Sequence, residues 1–342
     1  MGRRLGLAAL LLALVGLVAA SAGRPAAATA PRDFLWAAGS EPAGADGASG
    51  GDLEWRGGAA GAGAIGVETA PVTYVVYWGA AWQRGFRIAD LDGRTYPSSA
   101  LRTYVDTFLS RLGGSSWAGV LTQYCGATRP GGTSCAGGSG YVTNPPHELK
   151  GVWIDPAPVP ANVLERGETP HTPDDPVAAE VRRAVAHFGW DSQATYVVLA
   201  PPGPRVPAGP VWCGYHSQAV VDATAGTRAQ YAFVPWLDAA RPGAGRTACG
   251  MHAVDRRSDA FGNGIFDGWS IVLGHEWAES VTDPDNFDNV QDGWNDGDSA
   301  EAADKCAWHG LRDIHLGANR FAVQPLWSNA SFDAGRDGCV VS

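Results

Sequence analysis

Two periodicities of hydrophobic and polar positions organise this 342-residue chain. The run Val72–Trp78, Val-Thr-Tyr-Val-Val-Tyr-Trp, is β-branched and aromatic throughout and predicts a buried strand. Leu101, Tyr104, Val105, Phe108 and Leu112 then recur at helical spacing, predicting a helix over 100–112. Residues 113–173 are dense in Gly, Pro and Ser, which predicts short strands and loops. A second helix is expected over Pro176–Phe188, with proline at the first position, where its missing N–H is harmless. Residues 195–200 and 231–235 read as further strands. A last helix is expected over Asp267–Thr282, capped by Asp267 or Ser270 and stopped near Pro284.

Strands and helices mix without strict alternation. The expected fold class is therefore α+β or mixed-sheet α/β. Residues 70–342 suit one domain, zincin-like in carrying an active-site helix and stabilised by disulfides.

The N-terminus reads as a secretion signal. Arg3 and Arg4 precede an apolar run over 5–20, and small-residue cleavage sites follow at Ala20-Ser21-Ala22 and Ala28-Thr29-Ala30. Residues 1–30 are accordingly expected to be a signal peptide, with no stable membrane span elsewhere. Residues 31–69, rich in Gly, Ala, Glu and Asp, are expected to form a mobile leader or propeptide.

Net charge is −10, and Lys150 and Lys305 are the chain's lysines. No basic stripe exists, which argues against nucleic acid as a partner. The six cysteines are Cys125, Cys135, Cys213, Cys249, Cys306 and Cys339. An even count in an exported chain points to disulfides. Several pairings are open; the preferred set is sequential, Cys125–Cys135, Cys213–Cys249 and Cys306–Cys339, because each closes a modest loop. No Cys-x-x-Cys pair supports a thiolate metal site.

The most chemical segment is Gly274-His275-Glu276-Trp277-Ala278-Glu279. On a helix, His275 and Glu279 share a face. The layout is that of the His-Glu-x-x-His zinc-peptidase helix, with a carboxylate in place of the second imidazole. His275 and Glu279 are the first two candidate metal ligands. Glu301, expected on a following helix, is a candidate third. Asp304, on roughly the same face, is expected either to ligate or to hydrogen-bond His275. Glu276 is the candidate general base for a water acidified by the ion, and His216, beside Cys213, the candidate oxyanion donor. His216 as a hydrogen-bonded structural residue is the competing reading. One divalent ion is expected, Zn²⁺ first, with Mn²⁺ or Ca²⁺ admitted by the oxygen-rich set. That set also neutralises the ion, which weakens its effect on water.

Other patterns rank lower. Asp283, Asp285, Asp288, Asp292, Asp296 and Asp298 crowd one loop without EF-hand spacing. Trp269, Trp277, Trp294, Trp308 and Trp327 flank the motif and suit core packing before sugar stacking. No Gly-x-Ser-x-Gly elbow is present.

The run His275-Glu276-x-x-Glu279-x-x-Thr282-Asp283-Pro284, followed by Trp294, Glu301 and Asp304-Lys305-Cys306-Ala307-Trp308, resembles the Exordium or phosphate-induced-protein family. Tyr74-Val75-Val76-Tyr77-Trp78-Gly79, Cys213-Gly214-Tyr215-His216 and Cys339 are similar to it as well. The resemblance implies an extracellular, wall-associated protein, and the family's helix carries the same His-Glu-x-x-Glu layout. Two expectations follow. One is a secreted metal-dependent hydrolase, foremost a zinc peptidase acting on peptide, protein or cell-wall material. The other is a non-catalytic extracellular or cell-surface protein with a structural metal.

Overall fold

A computed structural model describes residues 34–38, 51–58, 65–161, 163, 175–203, 212–222, 224–237, 249–284 and 293–342. Its centre is a six-stranded mixed sheet. The strands are β1 (Phe34–Trp36), β2 (Val72–Trp78), β3 (Leu149–Asp155), β4 (Ala194–Leu199), β5 (Trp212–Asp222) and β6 (Thr227–Val234). Their order is β1-β5-β6-β4-β2-β3. From β6 to β3 all neighbours are parallel, while β5 runs antiparallel to both β1 and β6.

Side-chain alternation divides this sheet between two apolar layers. Val76, Trp78, Tyr196, Val198, Tyr231 and Phe233 pack with helix α2 (Pro176–Phe188) on one face. Val75, Tyr77, Val197, Leu199, Ala232 and Val234 meet helices α1 (Ser98–Leu112) and α3 (Asp267–Thr282) on the other. Parallel strands covered on both sides give the near-continuous apolar runs seen in the sequence. The three helices and three strands expected from hydrophobic pattern all form, with ends shifted by a residue or two, and β6 begins earlier than its apolar core, whereas no helix carries Glu301. The three disulfides are the sequential set.

Helix α3 is buried at every position. It lies between the sheet, at β5 and β6, and the hairpin strand Asn319–Val323. Its start is pressed so closely to the Cys249 loop that a Cβ on Gly268 would stand 2.0 Å from the Cys249 carbonyl oxygen. Asp267 does not cap the helix, nor does Ser270: Phe266 occupies the cap without a side-chain bond. Asp267 instead accepts the backbone N–H groups of Val254, Asp255 and Gly264, bracing the preceding loop. Among the described residues no helix is long and apolar enough to cross a membrane. The expected signal peptide lies outside the described residues.

The composition of 31–69 suggested a mobile leader, and two of its pieces are built into the fold. Phe34–Trp36 is an edge strand of the main sheet, and Glu54–Gly57 pairs with Gly293–Asn295 just beyond α3. Phe34, Leu35, Leu53 and Trp55 are buried. Four apolar anchors in a Gly/Ala-rich stretch are too few to give a periodic signal, yet each fills a place in a core. Trp55 rests on Trp294, with ring centroids 5.8 Å apart. Trp55→Ala should therefore cost about 3 kcal/mol or more in denaturant unfolding, as large-to-small core changes do; unchanged stability would show that the segment is detachable.

Glu148 is buried beside β3, and neither carboxylate oxygen is hydrogen-bonded among the described residues. Burial pushes its carboxyl up to about 8, against a small opposing pull from Lys150. Between the ordinary carboxylate range and about 8, the folded chain holds a proton that the unfolded chain has released, so this group makes stability fall as pH rises through that window. Melting temperatures of Glu148→Gln and the parent should be similar near pH 5 and should diverge in favour of the variant toward pH 8. Parallel pH profiles would refute this.

Candidate metal centre

The three polar residues of the motif point in graded directions around α3. At about 100° per residue, Glu279 projects between His275 and Glu276. His275 thus faces the hairpin side, Glu276 faces the sheet, and Glu279 stands between them.

On the sheet side the partner is β5. Gly214 lets Glu276 approach the strand, because a Cβ there would lie 2.6 Å from Glu276 Oε1 and 2.8 Å from Val272 Cγ1. Two residues on, His216 presents its ring to the same face. His216 Nδ1 lies 3.4 Å from Glu279 Oε2 and 3.6 Å from Glu276 Oε2, and its Nε2 lies 3.3 Å from Glu301 Oε2. On the hairpin side, His275 Nε2 lies 3.1 Å from Glu279 Oε1 and 3.5 Å from Asp304 Oδ1. His275 Nδ1 lies 3.3 Å from Gln324 Oε1. The amide of Gln324 is oriented by donating from Nε2 to the Ala303 carbonyl at 2.7 Å.

Glu301 and Asp304 do not sit on the expected helix. They belong to a tight turn in which Asp304 opens a short 3-10 segment, Asp304–Cys306, and accepts the Glu301 N–H. The Asp304 N–H donates to Glu279 Oε1 at 3.0 Å. All the expected site residues are thereby gathered, in two groups rather than one. His275, Glu279 and Asp304 form one set with metal-ligand spacing, and His216, Glu276 and Glu279 form another. Glu301 adjoins the second through His216. Gln324 escaped sequence reasoning. Its one signal is a polar residue ending the apolar run Phe321-Ala322-Val323. The five Trp flanking the motif are structural: Trp269, Trp277, Trp294 and Trp327 are buried, and Trp308 donates its indole N–H to the Trp36 carbonyl. Of the acid loop, Asp285, Asp288 and Asp292 lie outside the described residues, while Asp283 accepts the Asn295 amide and Asp296 pairs with Lys305.

His216, His275, Glu276, Glu279 and Glu301 are buried, and Asp304 keeps 15% side-chain exposure. Burial pushes Glu276 up to about 7 and Glu301 up to about 8. Burial also acts to raise Glu279, but His275 and His216 on either side outweigh it and hold that carboxyl at about 2. Both imidazoles are raised well above the ordinary histidine range. Burial opposes this in each case; Glu301, Glu276 and Glu279 overcome it at His216, and Glu279 and Asp304 at His275.

These donors fit a divalent ion. A tetrahedral site with bonds of about 2.0–2.1 Å has ligand–ligand edges of roughly 3.4 Å. The 3.1 and 3.5 Å separations around His275 Nε2, and those of 3.4 and 3.6 Å around His216 Nδ1, match this edge. Gln324 fixes the tautomer of His275: its Oε1 accepts from Nδ1–H, so a neutral ring presents the Nε2 lone pair to two carboxylates. Among the described residues His275 Nε2 makes no hydrogen bond, although Glu279 Oε1 is near. A lone pair facing carboxylate oxygens in a dry core is satisfied by a bound cation, and in its absence by the proton that those carboxylates hold on the ring.

Set against protein-family models, curated proteins and solved structures, the chain matches none of them. The three disulfides suggest an extracellular protein.

The ligand turn is held by Lys305, whose ammonium reaches buried Asp296 at 3.1 Å and sits over the Trp327 ring at 4.4 Å. Next to it, Cys306 is bonded to Cys339. Lys305→Met leaves Asp296 buried without its cation and should lose about 3–5 kcal/mol. Adding Asp296→Asn should return much of that loss in a double-mutant cycle. A harmless single substitution would show that the pair does not form in solution.

Proposed function

We propose that this chain is a secreted metal-dependent hydrolase, most simply a zinc peptidase of zincin-like type, with its ion held by His275, Glu279 and Asp304. One observation carries this reading: His275 Nε2, turned by Gln324 to offer a lone pair, converges with Glu279 Oε1 and Asp304 Oδ1 at tetrahedral-edge distances. Asp304 replaces Glu301 as the third ligand in this assignment. An ion bound there supplies Lewis-acid polarisation of a substrate carbonyl and acidifies water.

The remaining chemistry belongs to the chain's own groups. Glu276, one helical position from His275, is placed to accept a proton from the attacking water and return it to the leaving amine. His216, within 3.6 Å of Glu276, orients that carboxylate and offers a positive neighbour for developing oxyanion charge. The partly exposed edge of Asp304 is the side from which a peptide or protein substrate, or cell-wall material, would enter.

Full burial of His216, Glu276 and Glu279 favours a second reading. A site closed in this way also suits a non-catalytic, Exordium-like extracellular protein whose metal serves structure.

A metal assay followed by a peptide-library digest with and without chelator separates the two. In the hydrolase reading the purified protein retains metal through dialysis and cleaves peptides. Glu276→Gln should then lower cleavage by at least about 100-fold, the range of general-base contributions, with metal retained. Retained metal without cleavage, and a large fall in melting temperature on chelation, would establish the structural reading instead. Unchanged metal content in Glu279→Ala would overturn the ligand assignment.

A further inference from the structure

Glu279 directs its two oxygens to different imidazoles. Oε1 faces His275 and Asp304, whereas Oε2 faces His216 and stands beside Glu276. We propose that the centre is dinuclear, with Glu279 as a bridging carboxylate. One divalent ion sits in the set formed with His275 and Asp304, and a second sits in the set formed with His216 and Glu276. This rests on the metal reading above and adds a second ion to it, with His216 now a neutral ligand and the second ion taking over the positive charge assigned to that ring.

Three features support two ions. Both ligand sets are present, and each has tetrahedral-edge separations around its own imidazole nitrogen. Glu276 is wholly buried and aimed into the second set, and neither of its oxygens has a hydrogen-bond partner among the described residues. Without a metal ion that buried carboxylate has only the long 3.6 Å approach of His216 Nδ1, which a bound cation would replace with direct ligation.

Charge balance is the third feature. Glu276, Glu279, Glu301 and Asp304 together bring four negative charges when ionised. Two divalent ions balance them with both imidazoles neutral, the form in which histidine ligates. One ion leaves two carboxylates to be neutralised by protons. Nearby Lys305 does not substitute, because it pairs with Asp296.

The second ion also sharpens the part played by Glu276. Its Oε2 is the oxygen nearer His216 Nδ1 and belongs to the ligand set. Oε1, packed against Gly214, is left uncoordinated, so in the dinuclear centre Glu276 acts as a ligand first. Glu301, on the far nitrogen of His216, becomes a positioning residue that holds that ring.

The test is metal stoichiometry in the mature chain, loaded with Zn²⁺, dialysed and quantified by mass spectrometry. Two ions per chain are expected. Asp304→Asn and His216→Gln should each retain one, and Glu279→Gln fewer than either, in proteins shown by circular dichroism to be folded. The parent protein loaded with Mn²⁺ supplies a readout that needs no variant. A carboxylate-bridged pair gives an exchange-coupled electron paramagnetic resonance spectrum, and an isolated ion gives the simple six-line pattern. One Zn²⁺ per chain with a six-line Mn²⁺ spectrum would overturn the dinuclear centre while leaving the single-metal reading intact. No retained metal at all would overturn both.

Discussion

Everything at this centre depends on one constraint, the placing of several carboxylates in a core from which water is excluded. Glu279 is the pivot, since the two imidazoles on either side hold it ionised despite its burial. Its position follows from helix geometry alone, being the residue of α3 that projects between His275 and Glu276. The rest of the architecture delivers counter-groups to that residue. The sheet brings His216, the turn after α3 brings Asp304 and Glu301, and the C-terminal hairpin brings Gln324.

Such a cluster requires rigid walls. Helix α3 is enclosed on all sides, and two glycines permit the closest approaches, Gly268 against the Cys249 carbonyl and Gly214 against Glu276. The disulfides act on the same parts. Cys213–Cys249 ties the strand carrying His216 to the loop before α3, and Cys306–Cys339 ties the ligand turn to the C-terminus. Cross-links at these places limit how far ligands on separate elements can drift apart.

Burial favours binding more plainly than turnover. A dry site strengthens every electrostatic interaction within it, and so would retain a cation well. The same enclosure would restrict any substrate to the side where Asp304 meets solvent. This tension between retention and access separates the hydrolytic reading from the structural one.

The sequence by itself determined the elements and the chemical vocabulary of the site. The apolar runs at 72–78 and 195–200, the helical periodicity at 101–112, and Pro176 as a helix start depend on local sterics and pattern, so they are legible residue by residue. Helical spacing likewise placed His275, Glu276 and Glu279 together; modest loop size favoured the sequential disulfide pairing but left the alternatives for the structure to decide. Tertiary structure decided what lies across from them. Gln324, from a distant hairpin, approaches His275 Nδ1; His216 joins the carboxylates through the register of β5; Asp304 meets His275 while Glu301 meets His216. It also drew Phe34 and Trp55 out of a stretch without pattern and into two cores. A periodic pattern records which face of an element is apolar. It carries no record of which long-range partner occupies that face, because such contacts depend on the packing of the entire chain.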